Sequence, residues 1–140
     1  YVNYVPAAEF CDVFCERGAF TLAQSRRILQ AAQQSGLKLK VHADEFAPPL
    51  GATEMAVSLQ AVSVDHIVST TPEQIKLLAH SSTIGVSLPG TPFGLGQTKF
   101  TPARQLIDAG GALAIATDLN PGTCWSESMQ FMMALACRAM

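Results

Sequence analysis

The sequence has little charge and no cluster of charge of either sign. Nine lysine and arginine residues stand against eleven aspartate and glutamate residues, and only 14% of the chain is charged. Without a basic patch the chain has nothing that would follow a phosphate backbone, so we expect no nucleic-acid partner. It also lacks a run of about 18 apolar residues and the charged-then-apolar start of a signal peptide. We therefore expect no membrane association and a cytoplasmic location.

The four cysteines do not form a recognisable framework. Cys11, Cys15, Cys124 and Cys137 have neither the CxxC spacing of many zinc sites nor the density of a small secreted disulfide protein. No second Cys or His pair follows Cys11 and Cys15 at the distance that a zinc finger requires. We expect reduced, partly buried thiols.

Nucleotide-binding loops are absent as well. Residues 89–96 are rich in glycine and proline, but their spacing fits neither GxGxxG nor a Walker loop, and no lysine follows where a phosphate loop needs one. We therefore expect no phosphate site there. The same composition predicts a loop without regular structure between the fourth strand and the next helix.

The chain does contain short apolar runs that alternate with helices bearing clear start signals. Thr21 and Gln24 form a capping box for a helix over residues 22–35, and Thr71 begins a second such helix. Predicted strands cover residues 13–15, 37–43, 64–68, 83–88 and 112–117. The last is nearly all apolar, as expected for a strand covered on both faces. This alternation indicates a parallel α/β sheet, which is either doubly wound or part of a (β/α)8 barrel.

Both ends of the chain look interrupted. The sequence starts without an initiator methionine and stops at Met140 inside an apolar-periodic helical pattern that has no stop residue. We therefore expect residues 1–140 to be a fragment of a longer domain, truncated at both ends.

Polar residues gather at the ends of the predicted strands. His42, Glu45, His66, Asp118 and Asn120 lie in or just beyond strands, mostly towards their carboxyl ends. Barrels and open α/β sheets both place their chemistry at that edge. Imidazole and carboxylate ligands together suit zinc or iron, which make water nucleophilic at ordinary pH.

Each of these residues also has a structural interpretation. His42 could be a hydrogen-bonded core histidine, and Asp118 could cap the turn into the last helix. His66 could be paired with the aspartate before it, and Glu45 could be solvated. Asn120 and Gly122 could simply make a turn. Composition and spacing leave both interpretations open.

Longer motifs carry a resemblance to a known family. These motifs are DVFCE at 12–16, HADE at 42–45, DH at 65–66, LPGT at 88–91 and ATDLNPGT at 116–123. Together they resemble the imidazolonepropionase family of the metal-dependent amidohydrolase superfamily, and the resemblance extends over essentially the whole chain. It implies a partial (β/α)8 TIM barrel, with this chain supplying about strands four to eight.

The resemblance implies a single metal ion, zinc or iron. Family members hold it with an early His-x-His pair, a histidine in HADE and an aspartate in TDxNPG. His42 and Asp118 match the last two ligands, whereas no His-x-His occurs in this sequence.

The reaction implied is hydrolysis of the ring amide bond of 4-imidazolone-5-propanoate to N-formimidoyl-L-glutamate, in histidine degradation. Glu45 corresponds to an acid/base carboxylate that contacts the substrate, and His66 to a histidine near the reacting carbonyl. Asp118 or His66 would take the proton of the attacking water. The positions that match binders of the substrate's carboxylate are Asn120, Gly122 and Thr123.

Two alternatives accompany this interpretation. One is a related amidohydrolase, such as a purine or pyrimidine deaminase on the same barrel. The other is a non-catalytic α/β fragment, and we expect the isolated chain to be inactive because two of four metal ligands are missing. Because family members are commonly homodimers, the resemblance also allows a homodimer of the full-length protein.

Overall fold

The structure, a computed structural model, describes residues 8–140 as five parallel strands separated by helices. The strands are β1 (Phe10–Cys15), β2 (Lys38–Ala43), β3 (Ser63–His66), β4 (Ile84–Ser87) and β5 (Leu113–Ile115). The helices are α1 (Leu22–Gln34), α2 (Ala52–Ser58), α3 (Pro72–Ala79), α4 (Gly90–Gly94), α5 (Ala103–Asp108) and α6 (Met129–Ala139). Within the described part of the chain, no helix has the length and apolar character needed to cross a membrane.

The strand order distinguishes the two architectures that the sequence allowed. The strands pair in the order β1-β2-β3-β4-β5, and every pair is parallel. A doubly wound sheet reverses its strand order at a switch point, whereas a (β/α)8 barrel adds strands sequentially. The sequential order therefore confirms the prediction of a partial barrel, with all carboxyl ends of the strands at one edge.

The helices cover one face of the sheet. In β1, Val13 and Cys15 are buried, whereas Phe10 and Phe14 are 42% and 38% exposed. This alternation follows from the pleat, which points successive side chains to opposite faces. The buried face forms the hydrophobic core with residues that include Leu29, Val41, Met55, Val64, Leu78 and Leu106. The other face corresponds to a barrel interior and carries the polar residues discussed below.

The two helix starts predicted at Thr21 and Thr71 are confirmed. Thr21 caps α1, and Gln24 completes the capping box through hydrogen bonds in both directions. The same arrangement, with Thr71 as the cap, begins α3. Each box satisfies backbone N–H groups that a helix start leaves without partners.

Two predictions about local structure are wrong. Residues 89–96 are not irregular, because α4 occupies Gly90–Gly94. Pro89 and Pro92 are compatible with it because both fall at its start, where the helix does not use the missing N–H groups. The second error concerns β5, in which Leu113 and Ile115 are partly buried and Ala114 is exposed. It lies at an edge of the described sheet, so it is not covered on both faces.

Candidate metal centre

A cavity of about 370 Å³ opens at the carboxyl edge of the sheet. Its lining residues are Asp12, Phe14, His42, Glu45, Phe46, His66, Asp118, Asn120 and Thr123. Six of the seven predicted site residues are therefore brought together. The seventh, Gly122, is exposed and does not line the cavity.

The backbone changes direction sharply at the strand ends that form this cavity. Asp44, His66 and Asp118 have φ angles of 52°, 74° and 51°. Such left-handed conformations are uncommon outside glycine, although Asp, Asn and His adopt them more readily than other residues. Each costs about 1–3 kcal/mol and tends to occur at functional sites, where surrounding contacts enforce it.

One ring nitrogen of His42 is hydrogen-bonded to a carboxylate, and the other faces the cavity without a hydrogen bond to any described residue. Its register in β2 is opposite Phe14 and Asp65. Nδ1 is 2.8 Å from Oδ2 of Asp12, while Nε2 lies 4.0 Å from Oδ1 of Asp118. A carboxylate on one nitrogen commonly orients a histidine whose other nitrogen binds metal. Burial lowers the pKa of His42, but the hydrogen bond and charge of Asp12, together with the charges of Asp65 and Asp118, outweigh burial and leave the pKa raised.

His66 is nearly fully buried and lies beside the same aspartate. Its Nε2 is 3.8 Å from Oδ2 of Asp118 and 3.6 Å from Oε2 of Glu45. Burial, together with the nearby His42, lowers the pKa of His66 to about 3, so the ring is neutral at ordinary pH. Its Nδ1 is buried without a hydrogen-bond partner among the described residues. Buried polar atoms normally have a partner, so this nitrogen is an exception, while Nε2 is the ring atom that faces the carboxylates.

The donor set fits a single zinc or iron ion. One ligand atom from each of His42, His66 and Asp118 lies within 4.8 Å of the others. Two metal–ligand bonds of about 2.1 Å span up to about 4.2 Å, so one ion can contact both His42 Nε2 and Asp118 Oδ1 across their 4.0 Å separation. Imidazole with carboxylate is a ligand combination that zinc and iron both accept.

Glu45 has the properties of a proton-transfer group. Burial raises its pKa to about 7, and the negative charge of Asp118 contributes to the same shift. A carboxyl group with a pKa near the working pH can both donate and accept a proton. The group also lines the cavity next to His66, where such a proton would be needed.

The segment after β5 forms a tight turn that Asn120 organises. Oδ1 of Asn120 accepts hydrogen bonds from the N–H groups of Gly122 and Thr123, both at 2.8 Å. Nδ2 of Asn120 donates to the Asp118 carbonyl oxygen and to Oγ1 of Thr123. The two N–H groups expected to meet a carboxylate are therefore engaged by Asn120 in this structure.

Helix α4 packs directly against this turn. A Cβ atom added at Gly94 would lie 2.1 Å from the carbonyl oxygen of Thr123, and one at Gly90 would lie 2.4 Å from Sγ of Cys124. Real Cβ atoms do not come so close to other atoms. The two glycines therefore allow α4 and the turn to meet.

This contact predicts that Gly94→Ala destabilises the full-length protein that contains this chain. Because the obstructing atom belongs to the backbone, relief requires the turn or α4 to shift. We expect a loss of about 1–3 kcal/mol in the free energy of unfolding, the usual range for overpacking. Denaturant unfolding measures it, and an unchanged free energy of unfolding would show that α4 and the turn do not meet this closely.

Sequence reasoning missed three residues of the cavity. Asp12, Phe14 and Phe46 line it, yet none was singled out as a site residue. A signal for the first two was present, because Asp12 and Phe14 alternate with the buried Val13 in a strand next to the one that carries His42. Phe46 follows HADE directly, and its N–H donates to the buried carboxylate of Glu16, a contact between distant segments that spacing does not reveal.

Comparison with known sequences identifies close relatives. No protein-family model matches the chain. The chain is 62% identical over 128 residues to the imidazolonepropionase of Herpetosiphon aurantiacus, a match that covers 91% of this chain and 30% of that protein. It is 48% identical over 133 residues to the imidazolonepropionase of Alkaliphilus metalliredigens, covering 95% of this chain and 31% of the relative. The chain thus spans under a third of the length of these relatives.

Solved structures share the fold. A zinc-bound adenosine deaminase from Xanthomonas campestris matches with a TM-score of 0.72 and 20% identity, over 94% of this chain and 32% of that one. A 5-methylcytosine deaminase from Klebsiella pneumoniae matches with a TM-score of 0.74 and 16% identity, over 96% and 40%. Identity this low establishes a common fold and does not establish a common substrate.

The resemblance that the motifs predicted is therefore confirmed. Over about nine tenths of its length this chain is similar in sequence to imidazolonepropionases, and it has the partial barrel fold of amidohydrolases.

Proposed function

We propose that this chain supplies part of the active site of an imidazolonepropionase, which hydrolyses the ring amide bond of 4-imidazolone-5-propanoate. The main support is that His42, Glu45, His66 and Asp118, from three separate strand ends, converge on one cavity. The 62% identity over 128 residues to an imidazolonepropionase favours this substrate over other cyclic amides.

His42 and Asp118 would hold the metal ion, which is zinc or iron. When bound, such an ion polarises a carbonyl oxygen and makes water nucleophilic near neutral pH. Asp12 keeps His42 in the required orientation through the hydrogen bond to Nδ1. The remaining ligands would come from the His-x-His pair, which this sequence does not contain.

The chain's own residues would move the protons of the hydrolysis. Asp118 or the neutral His66 accepts a proton from the attacking water, whose oxygen bonds to the ring carbonyl carbon. The C–N bond then breaks, and Glu45 donates a proton to the departing ring nitrogen. The substrate's carboxylate would take over the N–H groups of Gly122 and Thr123 from Oδ1 of Asn120.

We also propose that residues 1–140 are a fragment of a single amidohydrolase barrel. The chain matches only about 30% of its relatives, and one face of its sheet is left uncovered by helices. The full-length protein would be a cytoplasmic enzyme, consistent with four free thiols, and a homodimer as the family resemblance allows. The pathway would be histidine degradation.

The decisive test is a substrate comparison. The full-length protein that contains this chain is loaded with zinc or iron and assayed with 4-imidazolone-5-propanoate, adenosine and 5-methylcytosine. We expect loss of the imidazolone and formation of formimidoylglutamate, with no ammonia from adenosine or 5-methylcytosine. Ammonia release from either, without imidazolone hydrolysis, would instead support the deaminase alternative.

The isolated 140-residue chain provides the control for completeness. With two of the four implied ligands, it should retain no stoichiometric metal after dialysis and hydrolyse no imidazolone. If the full-length protein shows neither metal nor turnover, the non-catalytic alternative is supported and the proposed function is wrong.

A further inference from the structure

Thr91 lies just outside the cavity and contacts its aspartate. The residue is 1% exposed and belongs to the first turn of α4, after the carboxyl end of β4. Its Oγ1 donates a hydrogen bond of 2.9 Å to Oδ2 of Asp118. It is the one hydrogen bond that the Asp118 carboxylate accepts from the described residues, because the histidine contacts are 3.8 Å and 4.0 Å long.

The same hydroxyl group also reaches the turn after β5. Oγ1 of Thr91 is 3.4 Å from Oγ1 of Thr123, which in turn accepts a 3.0 Å hydrogen bond from Nδ2 of Asn120. A chain of polar contacts therefore joins Asp118 to the turn through Thr91. Thr91 itself does not line the cavity, so any effect it has on a substrate would pass through Asp118 or the turn.

The position of Thr91 is fixed by packing on both sides. Gly90 precedes it and leaves no room for a Cβ next to Cys124, while Gly94 leaves none next to Thr123. The N–H of Thr91 donates to the carbonyl oxygen of Leu88. Because α4 packs this closely against the turn, a shift of α4 that moved the Thr91 hydroxyl group away from Asp118 would also have to move the turn.

We infer that Thr91 is a positioning residue, whose hydroxyl group fixes the Asp118 carboxylate in the orientation that faces His42 and His66. The inference rests on the proposed function, because it assigns Thr91 a task towards the proposed metal ligand. A carboxylate rotates readily about its last torsion. Without the hydroxyl group, Asp118 would lose the contact that selects one orientation, and the donor atoms would no longer converge.

The test compares three variants of the full-length protein with the wild type. Thr91→Val removes the hydroxyl group at nearly constant shape, and Thr91→Ser retains it. Thr83→Val is the matched control, since Thr83 is also buried and donates one hydrogen bond, to the Ala61 carbonyl oxygen at the opposite edge of the sheet. Zinc affinity is measured by competition with a chelator, and kcat and KM are measured with 4-imidazolone-5-propanoate.

We expect Thr91→Val to weaken zinc binding and to lower kcat by about 10–100-fold each, the usual loss when an outer partner of a metal ligand is removed. KM should change little, because Thr91 does not line the cavity. Thr91→Ser and Thr83→Val should both bind zinc and turn over substrate like the wild type. If Thr91→Val does not fold, Thr91→Ala removes the same hydroxyl group and should show the same losses.

The outcomes separate the two proposals. A wild type that binds zinc and hydrolyses the imidazolone, with a Thr91→Val variant equal to it, overturns the role of Thr91 alone. Equal losses in Thr91→Ser and Thr91→Val also overturn it, because the hydroxyl group would then not be the cause. A wild type without zinc or turnover overturns the proposed function, and the role of Thr91 with it.

Discussion

His42→Ala should abolish metal retention by the full-length protein. It should also reduce kcat/KM more than removal of a residue that only contacts a metal ligand, which costs about 10–100-fold. The reason is that Nε2 of His42 is the atom that faces Asp118, while Nδ1 is already occupied by Asp12. Alanine has no side-chain atom that can bind a metal ion. Metal content per chain after dialysis and steady-state kinetics measure the two effects.

His80→Ala is the matched control for this prediction. His80 is the remaining histidine of the chain, is exposed, and contacts the Lys76 carbonyl oxygen at the end of α3. Its removal should leave metal content and kcat/KM unchanged. Wild-type metal content in His42→Ala would show that His42 is not a ligand. His42 would then be a hydrogen-bonded histidine with a structural role only.

Glu45→Gln should lower kcat by about 10²–10⁴-fold, the range that a positioned acid or base contributes. Glutamine keeps the shape and much of the polarity of Glu45 but cannot deliver a proton to the departing ring nitrogen. Metal content should stay at the wild-type level, because Glu45 is not assigned as a ligand. Kinetics with the imidazolone, combined with metal analysis of the same sample, separates catalysis from binding.

Glu54→Gln provides the comparison for Glu45→Gln. Glu54 is an exposed carboxylate on α2, which accepts a hydrogen bond from Gln74 and does not line the cavity. The Glu54→Gln variant should have the kcat of the wild type. A Glu45→Gln variant that keeps its kcat would assign the proton transfer to another group, and one that loses its metal would make Glu45 part of the metal centre.

Much of the fold could be predicted because its signals are local. The capping boxes at Thr21 and Thr71 and the alternation of strand and helix patterns act within a few residues. Polar residues at strand ends predicted a common edge, since parallel strands bring their carboxyl ends together. The convergence of His42, His66 and Asp118 follows from that topology.

The remainder depends on contacts between distant segments. The fit of α4 against the turn needs Gly94 opposite Thr123, which glycine content alone does not show, so the segment was predicted as a loop. Asp12 reaches His42 only through the register of β1 with β2. The engagement of the Gly122 N–H by Asn120 is local, but the motif is equally compatible with a free N–H that awaits a ligand.

The left-handed backbone conformation at three positions that follow or end strands favours some side chains over others at those positions. Asp44, His66 and Asp118 hold φ angles that β-branched and bulky residues avoid, whereas Asp, Asn, His and Gly tolerate them. Asp and His are also among the commonest metal ligands and proton carriers. At these three positions the residues that the backbone accepts most readily are therefore largely the ones that bind metals and move protons.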